Sequence, residues 1–257
     1  MKTKLNVFLT LTFILFLSPS AFAQDLWLTK SYVRWNAKEV ERMLYASPWT
    51  QSQKIRVQTG GRINAVAGSV VGNVSLAPTI DNSINTASTS PSIDYTFTLR
   101  LRSAVPIRQA IARRNELNKK NLDQKELAQF EARQKGLLEC PACQENYVLT
   151  LSAESQENKN YDPVFALFGS ARLADIKRFI VLQNDKGEKR ELVYFMPPKI
   201  AGEETVFFFP RLDKKGNPLF TAESKELIFN VTNNQVSLAT NFKIKIAPMM
   251  IDGKIEF

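Results

Sequence analysis

The residues best placed to do chemistry are Cys140 and Cys143, set in Cys140-Pro141-Ala142-Cys143. Two thiols at this spacing suit a dithiol–disulfide couple, in which one thiolate attacks a substrate disulfide. The flanking residues argue against that use. A thioredoxin-type site follows a strand and opens a helix, whereas this motif follows a helical pattern and reads as running directly into a strand at Tyr147. Glu139 precedes the first cysteine, and a carboxylate there disfavours the thiolate. Gln144 stands where haem attachment needs a histidine. A structural zinc needs two more strong ligands, and the chain has no other cysteine and no histidine. In an oxidising compartment the pair is therefore expected to form a local disulfide. A redox-active pair is the alternative, and a metal-linked pair a further one.

The lack of histidine removes the usual general base, the commonest metal ligand and the usual pH switch together. Ser-His-Asp and Cys-His catalysis are excluded within the chain. The nucleophile elbow, the Walker loop, the dinucleotide fingerprint and the Ser-x-x-Lys dyad are also missing. A pair of carboxylates could still serve a glycosidase, but spacing alone does not show which acids converge. Glu203 and Glu204 would point apart on a strand and receive no catalytic role. Asp213 and Asn217 offer oxygen ligands for calcium without EF-hand spacing, and a hairpin turn is the expected reading. No catalytic residue, metal or cofactor is assigned.

An address stands at the front of the chain. Lys2 and Lys4 form a positive start, Leu5 to Leu17 is an uncharged apolar run, and Ser18 to Ala23 ends in Ala-Phe-Ala. This is the pattern of a secretory signal peptide over residues 1–23. The apolar run is shorter than the roughly 20 residues a spanning helix wants. Cleavage after Ala23 leaves residues 24–257 as a single exported domain, with no transmembrane span expected. The expected location is periplasmic or secreted.

The formal charge of +9 falls to about +7 without the two leader lysines. That balance favours anionic envelope components, or another envelope protein, as partner; solvation of the surface is the plainer use of the same charge. Nucleic acid is not expected, because no compact aromatic-plus-basic motif accompanies the charge. Apolar residues make up 44% of the chain, enough to build a core of ordinary size.

The elements can be read from periodicity and breakers. Residues 25–50 form an N-terminal helical module. Asn36 and Glu39 have capping-box spacing, Trp35 and Val40 occupy the staple positions, and Val40, Met43 and Leu44 share a face. Ser47-Pro48-Trp49 stops the helix. Trp27, Trp35 and Trp49 either pin this helix to the body or present an aromatic binding face. A first strand is expected over 53–59. Residues 60–92 are polar, small and nearly uncharged, and read as a flexible loop with a weak strand at 66–74. Ile93 to Arg102 alternates, with Ile93, Tyr95, Phe97, Leu99 and Leu101 on one face and Arg100 and Arg102 on the other.

A helical insert is expected over 105–137. Pro106 opens its first helix, with Ile107, Ala110 and Ile111 on one face; Asp123 caps the second, and Gly136 ends it. Between Arg108 and Lys135 lie eight basic and four acidic side chains. They form either a solvated face or a basic surface for an anionic partner. The remainder, 145–257, reads as β-rich. It comprises a strand at 147–151, a helical turn at 164–168 and a hairpin of 178–183 with 191–196. A buried strand follows at 205–209, and further strands at 226–231, 242–246 and 254–257. Short strands at such spacing predict an α+β, mainly β chain: an antiparallel β-sandwich-like body with an N-terminal helix and an inserted helical hairpin. Asn73 and Asn230 each begin a glycosylation sequon, which matters only in a eukaryotic secretory pathway.

The run WNAKEVERMLYASPW, Trp35 to Trp49, and the ending FKIKIAPMMIDGKIEF together resemble a group of uncharacterised bacterial secreted proteins. These share a signal peptide followed by a Trp/Glu-rich helix ending in Ser-Pro-Trp. The resemblance implies a bacterial exported or envelope protein and brings no activity or site residue with it. The function expected is that of a non-catalytic binding or structural protein. A thiol–disulfide protein using Cys140 and Cys143 is the alternative, and a carboxylate hydrolase of cell-wall glycan a third.

Overall fold

The structure, a computed structural model, describes residues 26–58, 66–67, 92–157, 161–233 and 238–257. The expected leader, the Asn73 sequon and nearly all of the 60–92 loop lie outside the described residues. The chain starts with α1 (Leu26–Thr29), a 3₁₀ turn (Tyr32–Arg34) and α2 (Ala37–Tyr45). The capping box forms: Glu39 N–H donates to Asn36 Oδ1 at 2.9 Å, and Asn36 N–H donates to Glu39 Oε2 at 2.8 Å. Val40, Met43 and Leu44 make the buried face of α2. The first strand, β1 (Thr50–Gln58), begins three residues before the expected Gln53. Its first residue, Thr50, already pairs with Arg100.

A short β2 (Val66–Ala67) and a long β3 (Ser92–Leu101) follow. The insert is α3 (Val105–Leu117), α4 (Gln124–Glu139) and α5 (Pro141–Glu145). Two expectations are corrected here. Gly136 does not end its helix; α4 runs to Glu139, and Cys140 takes the left-handed cap position at φ 40°. The cysteine motif does not run straight into a strand either: Cys140 caps α5, which carries the rest of the motif and ends at Glu145 before β4 (Asn146–Glu154).

After β4 come α6 (Pro163–Phe168), α7 (Leu173–Ile176), β5 (Ile180–Asn184), β6 (Lys189–Glu191), β7 (Tyr194–Met196) and β8 (Thr205–Pro210). The chain ends with β9 (Glu226–Asn233), β10 (Leu238–Lys245), β11 (Met250–Ile251) and β12 (Lys254–Ile255). The second arm of the expected 178–196 hairpin is split. β6 pairs with β5, whereas β7 pairs with β8 in the other sheet, and buried Leu192 marks the crossing.

The fold is α+β with a mainly β, antiparallel sandwich-like body. One sheet has the order β2-β1-β3-β4-β8-β7, and the other β10-β9-β5-β6. The inward alternation of β3 brings Phe97, Leu99 and Leu101 to the core, and β4 adds Tyr147, Leu149 and Leu151. Phe207 and Phe209 of β8 meet Phe229 of the second sheet at centroid distances of 5.4 and 6.2 Å. One such ring, fully buried, stabilises the fold by about 3 kcal/mol. Gln53 Nε2 donates to Asn241 O at 2.7 Å and joins β1 to β10 at one corner. Among the described residues no helix is long and apolar enough to cross a membrane.

The N-terminal cap also carries an ion pair. Lys30 Nζ lies 2.7 Å from the Glu39 carboxylate. That contact first, and the Asn36 N–H second, hold the Glu39 carboxyl below its ordinary value of 4.5. A carboxyl whose pKa is lower in the folded than in the unfolded chain stabilises the fold above the unfolded value. The contribution is lost as pH falls through the folded value. Glu39→Gln should therefore lower the melting temperature at neutral pH. The gap to wild type should close as pH falls from about 5 to about 3. Thermal melts of both proteins across that range measure it.

Candidate functional site

The outer face of the six-stranded sheet carries the densest polar cluster. β3 turns Arg100 away from the core, and the register sets it opposite Thr150, which itself lies opposite Val206. Thr150, Ser152 and Glu154 alternate onto this face along β4. Arg100 is 2% exposed, and its guanidinium makes three hydrogen bonds. Nε donates to Leu44 O at 2.6 Å, and Nη1 donates to Ser152 Oγ at 3.2 Å and to Glu204 Oε1 at 2.6 Å. The group also lies 4.6 Å from the centre of the Tyr45 ring. Tyr45 O–H donates to Glu154 Oε1 at 3.2 Å. Burial first, then the Glu154 charge, push the Tyr45 phenol up.

Arg102 follows in the turn that ends β3, and Ser103 N–H donates to Val148 O at 3.0 Å, tying that turn to β4. Burial holds the Arg102 pKa down; Glu204 opposes that, and the Arg114 charge from α3 adds to it. Among the described residues no hydrogen bond or ion pair engages the Arg102 guanidinium. Thr150 Oγ1 on the same face is buried and unpartnered.

The disulfide roofs the neighbouring part of this face. Cys140 and Cys143 are joined, with Cα atoms 5.3 Å apart. Cys143 is buried against Val148 and Val206, and Cys140 and Phe208 pack half-buried beside them. Arg211 Nε donates to Cys143 O at 2.9 Å, while its guanidinium sits 4.9 Å from the Tyr147 ring centre. The corner is therefore fastened by a cation as well as by the covalent bond.

The other sequence candidates lie elsewhere. Trp35 and Trp49 are fully buried, and their indole N–H groups donate to Lys30 O at 3.0 Å and Glu256 O at 2.6 Å. Half-buried Trp27 meets Trp49 edge-on at 5.0 Å, whereas Trp35 meets Tyr32. The three rings do not form one exposed face. Glu203 and Glu204 lie ahead of β8 rather than on it: Glu203 Oε2 accepts from Lys199 N–H, and Glu204 serves Arg100. Asp213 closes its own turn, accepting from the N–H groups of Lys215 and Asn217 at 2.8 and 2.9 Å. Among the described residues no group of three or more cysteines, histidines or acids is arranged to hold a metal.

Sequence reasoning did not single out Tyr45, Arg114 or Glu154, placed Arg102 only on the polar face of its strand, and gave Glu204 no role. The alternation of β3 was a signal for the arginines, but it does not say what covers them. Comparison with protein-family models, with curated proteins and with solved structures finds no match to this chain. The fold and site define an antiparallel sandwich-like protein with a helical insert and a cationic outer face.

Arg100→Ala strands Glu204 and the Leu44 carbonyl, and should cost about 3–5 kcal/mol in denaturant unfolding. Arg100→Met, which keeps the packing, should cost less. Reduction of the disulfide should cost about 2 kcal/mol, the chain-entropy value for so short a loop. Paired melts with and without reductant check that value.

Proposed function

We propose that this chain is a non-catalytic binding or structural protein exported to the bacterial cell envelope, where its partner is an anionic envelope component. The observation that carries the reading is the exposed, cationic helical insert. α4 has no buried residue along its 16-residue length. It rests on α3 through Asn115 Nδ2, which donates to Gln134 Oε1 at 2.9 Å, Gln134 Nε2, which donates to Ala112 O at 2.7 Å, and Arg108 Nη1, which donates to Leu138 O, while Leu137 alone of its side chains packs half-buried on the core. A helix with so little core contact contributes little to the sandwich, and its outer residues are free to serve a contact. α4 itself balances three basic against three acidic side chains, and the basic excess of the insert, which gives the contact its sign, lies toward α3 and the connection carrying exposed Lys119 and Lys120. The leader pattern and the histidine-free composition support an exported, non-enzymatic role. Burial of Cys143, on α5, against Val148 and Val206 favours a structural use of the disulfide over a redox one.

Lys120, Lys125 and Arg133 are exposed, and none belongs to a hydrogen bond or ion pair among the described residues. Changing all three to glutamate should weaken cosedimentation with anionic lipid vesicles or isolated cell-wall polymer about tenfold or more. The melting temperature should hardly move. Wild-type binding should fall as salt rises from about 0.05 to about 0.5 M. Equal binding by the two proteins overturns the reading.

A further inference from the structure

The six-stranded sheet ends in an edge that nothing among the described residues covers. β7 pairs with β8 on one side, and the order β2-β1-β3-β4-β8-β7 leaves its other side open. An open edge presents a row of unpaired backbone N–H and C=O groups, and charged side chains are a common guard against pairing there. The edges of the other sheet carry that guard: β6 has Lys189, Arg190 and Glu191, and β10 has Lys243 and Lys245. β7 has no charge, and neither has the whole run from Leu192 to Pro198. The strand is apolar on both faces. Phe195 turns inward and is buried, whereas Tyr194 and Met196 turn outward and are 57% and 47% exposed. Val193 is exposed beside them. Tyr194 stands opposite half-buried Phe208, with ring centres 5.3 Å apart, so the exposed apolar surface continues from the edge onto the sheet.

We propose that β7 is a contact between two copies of this chain, paired antiparallel along this edge about a two-fold axis. Charge selects the occupant. Two copies of a basic chain meeting along β6 or β10 would bring lysines and arginines together, whereas along β7 they bring no charge at all. An anionic partner finds no cation on β7 to answer it. The register is also determined. Residues directly opposite in an antiparallel pair share a face, and only a pairing centred on Phe195 opposes all three residues of β7. Phe195 then meets its own copy, and Tyr194 of each copy meets Met196 of the other. A thioether against an aromatic ring is a favourable contact, and symmetry supplies it twice. The contact is isologous, so the pair closes instead of growing into a fibre. Pro197 and Pro198 keep it short, since neither has an N–H to extend the ladder. With three strand residues on each copy the interface is small, and the pairing is weak and concentration-dependent. This inference stands independently of the envelope reading.

The test is sedimentation of the purified protein from about 5 µM to about 500 µM, the range in which so small an interface pairs. The weight-average mass should rise from one chain toward two. The rise should be steeper at about 0.5 M than at about 0.05 M salt, because screening relieves the repulsion between basic copies. Binding to an anionic partner moves the other way with salt, so the two contacts are read apart. Tyr194→Glu and Met196→Glu each set a carboxylate against an apolar side chain in the pair, and each should weaken self-association about tenfold or more. Lys243→Glu, on the β10 edge, should leave it unchanged at the higher salt. All three side chains are exposed, so melting temperatures at low concentration should hardly move. If one β7 variant does not fold, the other carries the test. A chain that stays monomeric across the range overturns the proposal, and so does self-association that neither β7 variant weakens. Association that runs beyond two chains, or that Lys243→Glu removes, places the contact on another surface and overturns it as well.

Discussion

The buried guanidinium of Arg100 is the tie on which the arrangement around the outer face depends. It joins the end of α2, the strands β3 and β4 and the approach to β8, through Leu44 O, Ser152 and Glu204. Each of those elements would otherwise be set by packing alone. The pair is weak evidence for net stability, because desolvating both charges offsets much of their attraction. Its effect is positional. An apolar side chain at 100 could cover the same area, but it could not fix where a helix C-terminus and a loop carboxylate sit on the sheet. The stability itself comes from the other face, where Phe207, Phe209 and Phe229 are fully buried between the sheets.

The parts of the fold legible in the sequence were those written in local patterns. The box of Asn36 and Glu39, the alternation of β3 and the cap at Asp123 are short-range signals, and each reappears in the structure. Misplacements came where a long-range partner overrode a local breaker. Gly136 carries a helix-ending preference, but its neighbours Leu137 and Leu138 are half-buried, and the helix persists to the point where Cys140 adopts the left-handed turn. The 191–196 run has the composition of one strand. Leu192 is buried at the corner between two sheets, and so the run divides. No periodicity carries that information.

The candidate site was less legible for a related reason. Arg100 and Arg102 stand two residues apart at the end of β3, with the same residue type and almost the same local sequence. Arg100 has three hydrogen-bond partners and, among the described residues, Arg102 has none, a difference set by Leu44, Ser152 and Glu204, all distant in the chain. The cysteine pair was legible in outline because it is local. Its place above Val148 and Val206 was not, since that depends on β4 and β8 lying side by side.

The absence of histidine gives this surface a definite physical character. The two cysteines are locked in a disulfide and do not titrate. Among the described residues every carboxyl with a displaced pKa is displaced downward, as at Asp94, Asp185 and Asp213, and the displaced phenols move upward. Both directions move titration away from neutrality. Neither direction brings a displaced group into the pH range in which histidine proteins switch. Control falls to what can still vary, the screening by salt of the exposed basic side chains of the insert, among them Lys120, Lys125 and Arg133.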